Sequence, residues 1–529
     1  MRQRTDVEHM VWLNLGQILR VHARNFPEKI AVKDWRGEAR TYAKLDSRAN
    51  KLANSLLKMG LHKGDRVAVM LYNCAAFVEI CCACAKIGVV VVTVNWRYIG
   101  REIEYVANNS DARAMIVGEE FAEVVNLVRP NLRNIGKGRF AMVGHGAAPK
   151  GYIPYENLVE SSPEGEPDIE VGSKDPWFQI YTSGTTGVPK GVVRSHESYT
   201  SFFLINAVEF GFSQDDNGMI IMPLYHVNST FYGLLFLYIG ASLYVGRDKG
   251  FDPVELLRVI DKEKVTFISL IPTHYHLILN IPEGVRKKFD LGSMRSFLCS
   301  SAPVRSKIKK GILKCFPNVK LFEAYGSTEA GLVTILRPED QLRKLGSMGR
   351  ECLGTDVVRL LNENGNEVPV GKVGELYSRG PMMFDEYYKM PKKTRESFRG
   401  DLFTARDMVK RDEEGYYYIV DRKDNMIITG GEHVYPSEVE EVISRHPKVF
   451  DVAVVGVPDE KWGEAVKAVV IMKEGEKAGE EDIIEWCREK IAGYKKPKSV
   501  AFISASEMPR TTTGKILHRE LRERYAAQP

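Results

Sequence analysis

Residues 181–191 read YTSGTTGVPKG, a stretch that holds three glycines, four serine or threonine hydroxyls, a proline and a lysine. Closely spaced backbone N–H groups and small hydroxyl donors suit phosphate oxygens, and the lysine adds a point charge. Polyphosphate binding is the chemistry these residue types fit. The order Gly184, Gly187, Lys190, Gly191 differs from the G-x-x-x-x-G-K-[ST] spacing of the ordinary P-loop. The loop follows a strand expected at DPWFQIY and is expected to lead into a helix.

Four further segments carry reactive groups. EAYGSTE (323–329) ends on Glu329, DLFTARD ends on Asp407, VDRKDN contains Arg422 and Asp424, and MPRTTTGK ends on Lys515. Taken with the glycine loop in this order, they resemble the AMP-forming adenylating superfamily of acyl-CoA synthetases, carrier-loading adenylation domains and luciferases. The resemblance runs from about residue 10 to the C-terminus.

The resemblance implies a reaction in which a carboxylate attacks the α-phosphorus of ATP and expels pyrophosphate. Both partners are anionic, so catalysis rests on charge neutralisation and alignment. It implies that Thr182, Ser183, Gly184, Thr185, Thr186 and Lys190 close over the β- and γ-phosphates, and that Thr328 touches the α-phosphate. Glu329 is implied as a ligand of Mg²⁺, a hard cation that takes oxygen ligands and keeps some water. Glu323, Ala324, Tyr325, Gly326 and Ser327 belong to the nucleotide site, with Tyr325 and Gly326 along the adenine and Ser301, Ala302 and Pro303 beneath it. Asp407 is implied on the ribose hydroxyls and Arg422 on ribose or phosphate, where its donor fork suits paired oxygens. The superfamily usually has Thr-Gly-Asp where this chain has Ala405, Arg406 and Asp407, which leaves the shape of that loop open.

Lys515, presented by a glycine-containing turn, is implied to stabilise charge during acyl-adenylate formation. The catalytic set is then Lys515, Glu329, Thr185 and His226. A second half-reaction needs a thiol to approach from the side that Lys515 occupies. The superfamily meets this by rotating its small domain about a hinge, here Asp424, so that Gly430, Gly431 and Glu432 of ITGGEHVYP line the passage for the pantetheine arm of CoA. Tyr494 and Lys495 of GYKKP are placed at the CoA nucleotide.

His226 in MPLYHVN matches a position at the mouth of the acyl pocket that gates the carboxylate against the thiol channel. The pocket is expected to draw on His226, Val227, Asn228, Thr230, Thr273, Tyr275, Ser300, Ala330 and Gly331. These carry no cation for a second carboxylate and no acid for an amine, so the expected substrate is a neutral organic acid: medium-chain, branched, alicyclic or aromatic. His274 and His276 in PTHYH lack a third ligand at metal-binding spacing.

The elements that must position these groups are legible as alternating periodicities. Leu45, Ala49, Leu52, Ala53 and Leu56 recur at helical spacing, and short Val- and Ile-rich runs follow at DRVAVML, IGVVVVTVNW, GMIIMPL, VTFISLI and VKLFEAYG. Runs without strict alternation suit strands covered on both faces. The expected fold is α/β: a large N-terminal domain (1–423) of two doubly wound sheets with a small β-barrel-like subdomain at about 345–423, then a small mobile α+β domain (424–529). In the latter, helices are expected at PSEVEEVISRH and EEDIIEWCREKIA.

Composition narrows the remaining options. The chain has 529 residues, 44% of them apolar, enough for about two to four units with their own cores. Lys plus Arg number 74 against 69 Asp plus Glu, a balance with no polybasic field, so no nucleic-acid partner is expected. The partner is a small carboxylic acid; the oligomeric state is open, a homodimer being one option. The eight cysteines are scattered apart from Cys81, Cys82 and Cys84, whose apolar surroundings read as a buried helix, and a reducing cytoplasm is expected. MRQRTDVEHM has no signal-peptide core, and the longest apolar run, FYGLLFLYIGASLYVG, is shorter than a spanning helix, so no integral membrane segment is expected. No G-x-S-x-G elbow, Walker A or G-x-G-x-x-G motif is present. A carrier-protein pantetheine is the alternative acceptor to CoA, although no carrier segment follows Lys515; a nucleotide-binding protein without turnover would not need Lys515 and Glu329.

Overall fold

The Val-rich runs become the inner strands of two mostly parallel sheets in a computed structural model that describes residues 14–182, 189–300, 304, 306–430, 432–488, 490–511 and 514–526. One sheet has eight strands in the order Glu386–Tyr387, Lys190–Ser195, Pro176–Thr182, Val90–Thr93, Arg66–Met70, Ala112–Gly118, Phe140–Val143 and Ile153–Pro154. The other has nine, of which the six from Lys320–Ser327 through Ser296–Cys299, Phe267–Leu270, Asn217–Ile220 and Ser242–Val245 to Ile30–Asp34 run parallel. Strands covered on both faces have no polar side to alternate, which is why period-2 patterning is absent from them.

Helices Tyr42–Lys58, Ala75–Ile87, His196–Phe210 and Val227–Tyr238 contribute to one continuous apolar core with these sheets. Helix Ala75–Ile87 is buried on every side, Cys81, Cys82 and Cys84 included. Burial pushes all three thiols up, so they pack as small apolar groups. Glu79 on the same helix is fully buried, and its carboxylate is met by Arg48 Nε at 2.7 Å, Arg40 Nε at 2.8 Å and the Tyr155 hydroxyl at 2.9 Å. That shell offsets the desolvation a lone carboxylate would suffer.

The expected helix directly after the glycine loop is not formed. Lys190–Ser195 is a strand, antiparallel to Pro176–Thr182 with Thr182 opposite Lys190, and the helix begins only at His196. Val192 and Val193, both β-branched, favour this pleated strand. The two strands flanking the loop therefore pair antiparallel, and Ser183, Gly184, Thr185 and Thr186 lie outside the described residues.

The architecture changes toward the C-terminus. Residues 357–422 supply a six-stranded antiparallel sheet. Beyond it, a five-stranded sheet built around Val449–Asp459 and Gly463–Met472 carries helices Pro436–Ser444, Glu480–Trp486 and His518–Ala526. The helix expected at EEDIIEWCREKIA is shorter than its periodicity, ending at Trp486, while Ile483 and Cys487 fill the small core. Among the described residues, no helix is long and apolar enough to cross a membrane.

One tight approach shapes the turn carrying the EAYGSTE segment. Strands Lys320–Ser327 and Gly331–Leu336 pair antiparallel with a register shift between Tyr325 and Gly326, and a Cβ on Gly326 would collide with the carbonyl of Gly331. Gly331 itself has φ 74°. Gly326→Ala is expected to lower the melting temperature by several degrees, the result of about 1–3 kcal/mol of overpacking. Differential scanning calorimetry reads this, and an unchanged transition would contradict the close approach.

Candidate active site

The carboxyl ends of the parallel strands face a common cleft, the place where open α/β sheets bind ligands. Tyr325 to Ser327 end one sheet's strand and Thr328 follows it, the glycine loop leaves the other's, and His226 stands at the N-terminus of helix Val227–Tyr238. Glu329 is partly buried. Its Oε1 accepts a 2.8 Å hydrogen bond from the Tyr387 hydroxyl and lies 3.8 Å from Lys190 Nζ, which stands 4.2 Å over the Tyr387 ring. Burial lowers the Lys190 pKa, Glu329 opposes the shift, and Lys393 and Arg422 add to it.

Neither Tyr387 nor Arg194 was reached from the sequence. Arg194 is fully buried in strand Lys190–Ser195 and donates to the carbonyl of Thr328 at 2.5 Å, to that of Glu329 at 3.4 Å, and to that of Met382. Its guanidinium also lies 4.7 Å from the centroid of Phe231. It thus props the backbone of the Thr328–Glu329 turn from inside the protein. An arginine directly after two valines in a short strand is the only signal the sequence held.

A second cluster joins both ends of the chain's functional half. The Tyr325 hydroxyl donates to Asp407 Oδ2 at 2.6 Å, and Arg422 Nε lies 3.1 Å from Asp407 Oδ1. Burial works against the charge on Arg422, but Asp407 and its acidic neighbours outweigh it and raise the pKa. Lys515 comes to the same place from the small C-terminal unit. Its turn is closed by Thr511 N–H donating to Lys515 O at 2.7 Å, with Gly514 at φ 83°, and a Cβ on Gly514 would lie 3.9 Å from Thr273 Oγ1 of the large unit. Lys515 keeps exposed surface, yet the protein around it and the charge of Arg422 bring its ammonium down to about 8, against the pull of Asp407 and Asp421.

A cavity of about 220 Å³ opens beside this cleft. Of the residues expected at an acyl pocket, His226, Val227, Asn228, Ser300 and Gly331 line it, and so do Ala324, Gly326, Ser327 and Thr328 of the nucleotide segment. Phe202, Met222, Phe231, Tyr232, Leu298 and Leu332 complete the wall. Val227, Asn228, Phe231 and Tyr232 share one helix face at i, i+1, i+4, i+5 spacing, a signal the aromatic run held but that was read only as core. Phe202 and Phe231 stack at 3.9 Å.

Four expected wall residues are elsewhere. Thr230, on the opposite side of that helix, meets the Tyr199 hydroxyl at 2.9 Å; Tyr275 is buried and donates to Leu298 O at 3.0 Å; Ala330 packs into a neighbouring core; Thr273 sits at the seam with Gly514. Burial, with Arg97, holds the His226 imidazole down at about 4, so it is neutral at physiological pH. Among the described residues, no Lys, Arg, Asp or Glu lines the cavity.

Glu323 is drawn to buried Lys309 as an ion pair. Lys495 is also engaged, its Nζ 2.7 Å from both carboxylate oxygens of Glu438, while Tyr494, Gly430 and Glu432 are exposed. Gly430 has φ 59° in the hairpin between Ile427–Thr429 and Glu432–Val434. Ser301, Ala302, Pro303 and Gly431 lie outside the described residues. Among the described residues, no group of three His, Cys, Asp or Glu side chains is placed to hold a metal ion. A cation at Glu329 would therefore take its other ligands from phosphate oxygens and water, a donor set that suits Mg²⁺.

The chain is similar to known proteins over nearly its whole length. Over 531 residues the chain is 35% identical to the long-chain-fatty-acid–CoA ligase FadD13 of Mycobacterium tuberculosis, covering 97% of this chain and 99% of that protein. It is 35% identical over 505 residues to a feruloyl-CoA synthase of Amycolatopsis sp, covering 95% and 97%. The ATP-bound crystal structure of MatB from Rhodopseudomonas palustris superposes with a TM-score of 0.84, at 29% identity over 97% of this chain and 99% of that one; the apo form of MatB gives 0.73. Residues 19–388 match the family described as AMP-binding enzyme and residues 438–515 its AMP-binding enzyme C-terminal domain, so the chain belongs to the AMP-binding, adenylate-forming enzyme family.

Proposed function

We propose that the protein is an AMP-forming carboxylic acid:CoA ligase for a neutral organic acid, medium-chain, branched, alicyclic or aromatic. The observation that carries this reading is that the Lys515 turn of the small unit lies against Thr273 of the large unit, near enough to Asp407 and Arg422 for their charges to act on Lys515, in a cleft that adjoins an apolar, ring-lined cavity. The acid's hydrocarbon body fits among Phe202, Phe231 and Leu332, with its carboxylate toward Thr328.

The carboxylate oxygen attacks the α-phosphorus of ATP, the bond to the β-phosphate bridging oxygen breaks, and pyrophosphate leaves. Lys515 and Arg422 offset the negative charge at the reacting phosphoryl group, while Lys190 faces the departing phosphates. Mg²⁺ held at Glu329 would supply further charge neutralisation when bound. Tyr387 and Arg194 orient Glu329 by gripping its carboxylate and its backbone. In the second step the CoA thiol sulfur attacks the acyl carbonyl, the bond to AMP breaks, and the thioester forms. For this the small unit turns about Asp424, exchanging Lys515 for Gly430, Gly431 and Glu432, and the neutral imidazole of His226 separates carboxylate from thiol. The eight cysteines are free thiols, seven of them buried, which fits a reducing cytoplasm.

Incubation with ATP, Mg²⁺ and a panel of alkyl and aryl acids is expected to release pyrophosphate and, with CoA, to yield thioester and AMP. ADP as product would refute the reading, and pyrophosphate without thioester would point to a carrier-bound pantetheine as acceptor. Lys515→Ala is expected to slow acyl-adenylate formation by about 10²–10³-fold, while thioester synthesis from preformed adenylate stays within a few-fold of the parent. Because adenylation needs the ammonium, its kcat/KM is expected to fall as pH rises through about 8. In kcat the limb moves to higher pH, since bound polyphosphate favours the charged form. The same limb in the thioester step would contradict the assignment to Lys515.

A further inference from the structure

The Ala-Arg-Asp departure in the ribose-side loop creates an unusual contact. Arg406 adopts φ 64°, a left-handed conformation natural to glycine. Its N–H donates to Thr404 Oγ1 at 2.9 Å and its carbonyl accepts from Lys423 N–H at 2.8 Å. Its guanidinium reaches Asp424, with Nε at 2.9 Å and Nη2 at 2.8 Å from Oδ1. Lys423 is tied down as well, its Nζ 2.9 Å from Glu375 Oε2 in the antiparallel sheet. From the other side Arg522, on helix His518–Ala526, donates to the carbonyls of Asp424 and Asn425, each at 3.3 Å. Residue 424 is thus gripped through its carboxylate by the large unit and through its carbonyl by the small one.

A turn of the small unit about residue 424 changes that residue's φ and ψ, and so moves its Cβ relative to its carbonyl. The φ part of that turn also swings the Cβ away from the large unit, so the carboxylate leaves Arg406 while the carbonyl stays with Arg522. Both grips are in place in the arrangement that sets Lys515 near Asp407 and Arg422. We infer that Arg406 is a positioning residue that, by clamping the Asp424 carboxylate, biases the protein toward its adenylate-forming arrangement. The inference rests on the two-arrangement reading proposed above.

The pair is partly exposed, with side-chain accessibilities of 46% and 25%. An ion pair of this kind shifts an equilibrium by a factor of about 2–5 rather than locking it. A weak clamp is compatible with an enzyme that must leave this arrangement once per turnover, and the loop keeps its shape without the guanidinium because the backbone bonds of residue 406 do not involve the side chain.

The test measures the two half-reactions separately, with an acid taken from the panel: pyrophosphate release without CoA, and thioester formation from preformed acyl-adenylate with CoA. Arg406→Gly relieves the backbone and removes the charge; Arg406→Gln removes the charge alone. Both are expected to raise the ratio of thioester rate to adenylation rate by about 2–5-fold, and Arg406→Lys to restore part of the parent ratio. A ratio equal to the parent's in both variants, whatever happens to the melting temperature, overturns the inference. Asp424→Pro separates this from failure of the hinge itself, because it should spare adenylation and block thioester formation. Loss of thioester formation in Asp424→Pro, with no change of ratio in the Arg406 variants, would sink the clamp and leave the hinge. A normal thioester step in Asp424→Pro would sink both.

Discussion

Lys190, Arg422 and Lys515 come from three distant segments and share one cleft, where the charge on Arg422 makes it harder for each lysine to hold its proton. Asp407, Glu329, Asp421 and Asp424 stand against them, and the first two each already have a hydroxyl and a cation beside them. Bringing cations together costs free energy that grows as water is excluded. The rest of the fold supplies the rigidity to hold them there, and a polyphosphate is the ligand that would turn that cost into affinity.

Rigidity comes from below and from within. The parallel strands deliver their carboxyl ends to one place, and the bulged pairing at Gly326 lets the Tyr325–Glu329 turn pass close to Gly331. Arg194 then fixes the turn's carbonyls from the buried side. Its burial works against its charge, bringing its pKa to about 10, so the contacts with three carbonyls are what keep a guanidinium in an apolar strand.

Much of this was legible in the sequence because the informative residues are local. The glycine loop, EAYGSTE and TTTGK announce their chemistry within a few positions, and Val-rich runs announce covered strands. Lys190 was placed with the phosphates, but its strand was mistaken for a helix: the turn residues before it start either element, and pairing with Pro176–Thr182 decided the outcome. Tyr387 and Arg194 escaped because their partners are 58 and 135 positions away in the chain. The cavity wall was half legible. Helical phase puts Phe231 and Tyr232 beside Val227 and Asn228 and turns Thr230 away, but an aromatic run reads equally as core until its neighbours are known.

The ring-lined wall is carried largely by helices His196–Phe210 and Val227–Tyr238, whereas the groups that would meet phosphate are carried by loops at strand ends. Repertoire and chemistry are therefore written on different parts of the molecule. Phe202, Phe231 and Tyr232 can be diversified as a library for acids of new shape, with an aromatic ring kept at 231 where it packs on Arg194. By the same separation, drift at those three positions is a cheap route by which a duplicated copy of the chain acquires a new acid without relearning how to activate it.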